Sequence, residues 1–180
     1  MKGIVFTELM DLVEETQSPA FLQEAIDDAD LPSGGAYTSV GTYPVCEMGA
    51  LVQALSQKMT VPVPDLMKIF GKHLFGRFAQ IYPQFFEESS DAFSFLASIE
   101  DHIHKEVLKL YPDAELPTFE ITTHTEDTFI MIYNSSRHLG DVCEGLMIDC
   151  LAYFGEDANI SRKVLEDDAV SRIEFTIVKD

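Results

Sequence analysis

The stretch Phe129-Ile130-Met131-Ile132-Tyr133-Asn134-Ser135-Ser136-Arg137 decides how this chain reads. Its apolar first half predicts a strand, and the polar residues that follow mark the strand's end. Side chains alternate across a strand, so Tyr133, Ser135 and Arg137 share one face. That face carries a phenol, a hydroxyl and a guanidinium, three hydrogen-bond donors of which one is permanently cationic. Such a row suits a carboxylate or a phosphate. It also describes a polar strand end whose side chains bond only to a local turn.

Working outward, Phe119 to Thr123 predicts a second strand, joined to the first by a turn at Thr125-Glu126-Asp127. Downstream, a helix is expected over about 138–154, with Gly155 as its C-cap. Two further strands are expected at about 159–165 and 171–178, joined around Asp167-Asp168. The first half reads as helices. They fall at about 3–15, at about 19–29 with Ser18 as cap and Pro19 at the first position, and at about 46–59. Two more run from Pro64-Asp65 to Tyr82-Pro83 and over about 92–111. Helices first and hairpins later predict an α+β fold in a single domain, 1–180. It comprises an N-terminal helical lobe of about 1–60 and a lobe of about 61–180. The second lobe carries a four-stranded antiparallel sheet with helices.

The net charge of −19, from 12 basic and 31 acidic residues, excludes a broad basic surface. Nucleic acid and anionic membranes are therefore not partners. Most of the acidity reads as solvated surface, as in Asp27-Asp28-Ala29-Asp30 and Glu166-Asp167-Asp168. In a chain short of cations, an arginine set among donors is informative. No apolar run is long enough to span a bilayer, and Glu8 and Asp11 interrupt any signal-peptide pattern. Cys46, Cys143 and Cys150 are odd in number and lack CxxC spacing, which fits a reducing cytoplasm.

The helix at 92–111 holds two histidines. On a 3.6-residue wheel, Phe93, Leu96, Ile99, Ile103, Val107, Leu108, Leu110 and Tyr111 form one apolar arc. His104 falls inside that arc and His102 outside it, so His104 is expected buried and His102 solvated. Glu100 also falls on the buried arc, with no role evident. A buried histidine needs a partner. That partner is either a backbone carbonyl in an ordinary core or a metal. Zinc requires three or four protein ligands, which the neighbourhood does not supply. Haem iron requires only an axial one, and its two propionates need donors of the kind Tyr133, Ser135 and Arg137 offer.

At this point the sequence resembles the haem-nitric oxide/oxygen binding (H-NOX) family, bacterial relatives of the haem domain of soluble guanylate cyclase. The resemblance covers essentially the whole chain. It runs through Met1-Lys2-Gly3-Ile4-Val5-Phe6, Phe70-Gly71-Lys72-His73-Leu74-Phe75, Ile103 to Tyr111, Leu116-Pro117, Tyr133-x-Ser135-x-Arg137 and Glu144-Gly145-Leu146. It implies a non-covalent b-type haem between the lobes, with His104 as axial ligand and Tyr133, Ser135 and Arg137 on the propionates. Leu116, Pro117, Phe78 and Leu146 would also contact the haem. Pro117 would press on the porphyrin, although a proline there also suits a strand entry.

The resemblance further implies a distal pocket of Val5, Leu9, Leu74, Phe78, Val142 and Leu146, all apolar. Oxygen-binding members carry a tyrosine at the Val142 position. Its absence, with Tyr153 too far along the helix to substitute, implies binding of nitric oxide and carbon monoxide and exclusion of O2. Many members hold zinc near the C-terminus. Here 160–175 contains neither Cys nor His, and Gly140 stands where a zinc cysteine is expected, so no structural zinc is expected. The partner implied is a histidine kinase or a cyclic-di-GMP enzyme, and the chain itself is not an enzyme. The rival reading is a haem enzyme of the peroxidase or nitric oxide dioxygenase type. It needs a distal acid–base group, for which His73 is the candidate.

Overall fold

The computed structural model describes all 180 residues. The N-terminal part is α1 (Gly3–Thr16), α2 (Pro19–Ala29) and α3 (Val45–Met59). The Ser18 hydroxyl accepts the Phe21 N–H at 3.1 Å, satisfying an otherwise unpaired donor at the start of α2. Next come α4 (Val63–Ile81) and a short α5 (Gln84–Glu87) that the sequence reading did not include. The helical stretch bearing His104 follows in three pieces: α6 (Ala92–Ser98), a π-turn (Ile99–Ile103) and α7 (His104–Leu110). Strands β1 (Thr118–His124) and β2 (Thr128–Ser135) precede α8 (Gly140–Tyr153), and β3 (Ala158–Asp167) and β4 (Ser171–Lys179) close the chain.

The four strands form one antiparallel sheet in the order β1-β2-β4-β3. The central pair matches Phe129 with Ile177, Met131 with Phe175, Tyr133 with Ile173, and Ser135 with Ser171. These residues therefore share one face, and the six apolar members are buried under α6 and α8. Fully burying one such side chain is worth about 1.5–3 kcal/mol, so this face sets the register. A second core joins α1–α3 to Leu66, Met67, Phe70 and Leu74 of α4 and to Val142 of α8. Phe78 and Leu146 pack against both cores, so α4 and α8 form the wall the two share.

Two expectations change. The single helix over 92–111 is interrupted by the π-turn, where the His104 N–H bonds to the Ile99 carbonyl. The extra residue turns everything after it by about 100° relative to an uninterrupted helix. Leu108, placed on the buried arc by the wheel, is consequently 41% exposed. The helix expected from about 138 begins at Gly140 instead, because His138 adopts a left-handed conformation (φ 53°) that breaks the helix before it starts.

Not all the acidity is surface. Glu47 is buried in the N-terminal lobe and accepts hydrogen bonds from the Ser33 hydroxyl and, at 2.8 Å, from Tyr37 Oη. The Ser33 bond holds its carboxyl below the usual value of 4.5, outweighing burial, with Tyr37 adding to it. A depressed carboxyl stabilises the fold above its unfolded pKa and loses that contribution as pH falls through the folded value. Glu47→Gln should therefore cost about 1–3 kcal/mol at pH 7. The deficit should shrink below about pH 4.5 in urea unfolding curves recorded across pH.

Candidate functional site

Between the two cores lie two adjoining chambers of about 230 and 310 Å³. Val5, Phe78, Leu116, Pro117, Phe119 and Leu146 line both, so the chambers are halves of one cleft. Its walls come from α1, α4, α8, the α6–α7 stretch, the 112–117 loop and the β1–β2 hairpin.

His104 lines the larger chamber, among Phe75, Phe78, Ile99, Ile103 and Phe119. Its side chain is 15% exposed. Burial pulls the imidazole below its usual value of 6.5, against the opposing charge of Glu100. A neutral imidazole keeps a lone pair available to a metal. Nδ1 lies 3.4 Å from Glu100 Oε2, which leaves Nε2 as the nitrogen free to ligate. His102 is half exposed, 3.5 Å from Glu88, as its place on the wheel requires.

Tyr133, Ser135 and Arg137 all line the smaller chamber, so the donor row is a common face in space. The left-handed turn at His138 supports it. The Leu139 N–H reaches back to Tyr133 Oη at 3.1 Å, and the Arg137 N–H donates to Ser135 Oγ at 3.1 Å. Burial pushes the Tyr133 phenol up, so it stays a neutral donor. The Arg137 guanidinium bonds the exposed Glu115 at 2.9 Å through Nη2, leaving further N–H groups for an anion. The stretch thus makes local turn bonds and also faces a cavity.

Of the expected distal residues, Val5, Leu74, Phe78, Val142 and Leu146 line the cleft. Leu9 does not. It is fully buried in the N-terminal core, one turn of α1 beyond Val5. His73 is also absent from the lining. Its Nε2 lies 3.3 Å from Glu8, a buried carboxylate that accepts the Arg77 Nε–H at 2.8 Å. Tyr153 packs on Phe75 and Phe86, outside the lining. Sequence reasoning missed Met1, Lys2 and Phe119 as lining residues. Lys2 pairs with Thr42 in a β-bridge and with Asp113 at 2.7 Å, which carries the N-terminus to the cleft mouth. Its only prior signal was membership of the Met1–Phe6 stretch.

A cleft with one neutral imidazole on an apolar wall and three donors at its polar end fits a flat, largely apolar iron chelate bearing carboxylates. Comparisons with known proteins agree. The haem-NO-binding (HNOB) family profile matches residues 2–162, and the chain belongs to this H-NOX family. The Fe(II) unliganded H-NOX protein of K. algicida is 40% identical, with a TM-score of 0.94 over 100% of this chain and 97% of that one. The S. oneidensis H-NOX protein in its Fe(II)NO state is 27% identical, with a TM-score of 0.90 over 100% and 99%. The Shewanella woodyi H-NOX solution structure in the Fe(II)CO state, bound to IWP-051, is 37% identical, with a TM-score of 0.84 over 100% and 95%. No curated protein sequence matches the chain.

Tyr133 Oη satisfies a backbone donor as well as facing the cleft. Tyr133→Phe should therefore leave the Leu139 N–H unpaired and destabilise the fold by about 1–3 kcal/mol. Chemical denaturation of the haem-free protein would read this independently of any cofactor.

Proposed function

We propose that this chain is a haem-based sensor that binds nitric oxide and carbon monoxide, excludes O2 and passes the signal to a protein partner. One observation carries it: a single cleft lined at one end by His104 and at the other by Tyr133, Ser135 and Arg137. His104 ligates the iron of a b-type haem, held without covalent attachment since no Cys-x-x-Cys-His occurs. Tyr133, Ser135 and Arg137 take the propionates by charge-assisted hydrogen bonds. Leu116, Pro117, Phe78 and Leu146, which line both chambers, contact the ring.

When bound, ferrous haem would supply the site for the gas. Val5, Leu74, Phe78, Val142 and Leu146 offer no hydrogen-bond donor to a gas ligand. A polar O2 complex therefore gains no stabilisation, while nitric oxide and carbon monoxide depend on it less. His104 would couple the haem to α7, and Pro117 would couple it to the loop before β1. The lobe of about 1–60 then shifts against the remainder, a two-state change that alters the surface offered to a partner. A histidine kinase or a cyclic-di-GMP enzyme in the cytoplasm is the partner class the family implies. The chain is a sensor and not an enzyme. The haem-enzyme alternative finds no support in His73, its acid–base candidate, which stands outside the cleft lining with Nε2 3.3 Å from Glu8. No zinc is proposed, because 160–175 offers neither Cys nor His.

Absorption spectra of the ferrous protein test the reading. Carbon monoxide and nitric oxide should each shift the Soret band, and air should yield no stable oxygen complex. A persistent ferrous-oxygen spectrum would refute the selectivity. Val142→Tyr should introduce O2 binding, seen as a new stable spectrum in air. His104→Gly should abolish nitric oxide control of the partner, whereas normal signalling by that variant would refute the switch. Arg137→Ala should lower the haem content of purified protein without unfolding it.

A further inference from the structure

Glu100 has no place in the surface-charge account. It sits on the same side of the ligand helix as His104, four residues earlier, inside the π-turn. One of its oxygens, Oε2, serves two groups: His104 Nδ1 lies 3.4 Å away and the Phe119 N–H donates to it at 3.2 Å. Phe119 is the second residue of β1, two positions after Pro117, and its ring centroid is 5.7 Å from that of His104. The carboxylate thus spans from the ligand helix to the sheet. An exposed ion pair between neighbouring turns of a helix would be worth little. This one differs because the His104 side is buried and the second partner is a backbone group on another element.

The π-turn is the second element of the arrangement. Inserting one residue just before His104 sends its N–H to Ile99, and such turns are concentrated at functional positions. Ile99 and Ile103, the ends of the turn, both line the chamber with His104, while Glu100 reaches β1. The turn therefore puts apolar residues and a carboxylate around one imidazole.

We propose that Glu100 is the positioning residue of the iron ligand. It accepts the Nδ1–H of His104, selects the tautomer with Nε2 free, and sets how strongly that nitrogen donates to iron. It rests on the haem reading given above. A carboxylate acceptor on Nδ1 increases the negative character of the imidazole and strengthens Nε2 as a donor, the general behaviour of carboxylates behind metal-bound histidine. Because the same oxygen holds Phe119, the strength of the ligand bond is linked to where β1 and the Pro117 loop sit. Glu100 thereby tunes the threshold at which the ligand is released.

The test uses the haem-loaded full chain with Glu100→Ala and Glu100→Gln. Glutamine keeps an oxygen for both donors but removes the charge, which separates electronic from positional effects. Resonance Raman of the unliganded ferrous protein reads the iron–histidine stretch directly. It should fall in Glu100→Ala, and fall less in Glu100→Gln. Haem transfer to apomyoglobin should accelerate roughly tenfold in Glu100→Ala, the lower end of what such partners contribute to metal binding. If Glu100→Ala does not fold, the shift in Glu100→Gln decides. An unchanged stretch and unchanged transfer rate in variants with a normal Soret band would overturn the role of Glu100 alone. A parent protein with no Soret band after haem addition would overturn the haem reading and this proposal with it.

Discussion

The close crossing of α4 and α8 is the constraint on which the rest of the molecule depends. At the crossing the two helices meet through backbone. A Cβ on Gly71 would stand 2.2 Å from the Val142 carbonyl oxygen, and one on Gly145 would stand 2.2 Å from the Lys68 carbonyl oxygen. Neither backbone oxygen can move aside as a side chain would, so the approach depends on two glycines facing each other. An ion pair between Lys68 and Glu144 at 3.0 Å flanks it. From this seam Leu74 and Phe78 project off one helix and Val142 and Leu146 off the other. They form the apolar wall of the cleft and tie the two cores together.

Electrostatics then divides that cleft. The chain has few cations, and two of them stand at its mouth. Lys2 is paired with Asp113 and Arg137 with Glu115. Both partner carboxylates are largely exposed and solvent-screened, so neither pair is a strong bond. They hold the cations in place at the polar end while remaining exchangeable for a better-placed anion. At the other end the groups are apolar, with His104 kept neutral by burial and Glu100 behind it. One end is thus suited to carboxylates and the other to a metal.

Much of this was legible beforehand because it depends on local periodicity. The alternation in Phe129–Arg137 predicts that Tyr133, Ser135 and Arg137 share a face, and the cleft lining agrees. The caps and turns of α1 to α4 follow from Ser18, Pro19 and the Val61–Pro64 segment, and the strand bounds from their apolar runs. What failed did so for a stated reason. A wheel assumes a constant period, and the π-turn adds one residue, so Leu108 came out on the wrong side. Leu9 could not be separated from Val5 by pattern, since both are apolar on one face of α1, and only the packing tells core from cleft.

Three carboxylates, Glu8 and Glu47 buried and Glu100 partly so, mark the boundary most clearly. By sequence Glu8 and Glu47 look like the rest of an acidic surface, whereas Glu100 already falls on the apolar arc of its helix. Each proves to be held by partners distant in the chain or on another element: Arg77 with His73, Ser33 with Tyr37, and Phe119 beside His104. By itself the sequence determined the element types, the donor row and the presence of one histidine among apolar residues. These are properties of neighbours along the chain. Only the tertiary structure decided which residues meet across the cleft, which carboxylates leave the solvent, and what stands behind the histidine. Those depend on distances between elements, set by the α4–α8 seam and the sheet register.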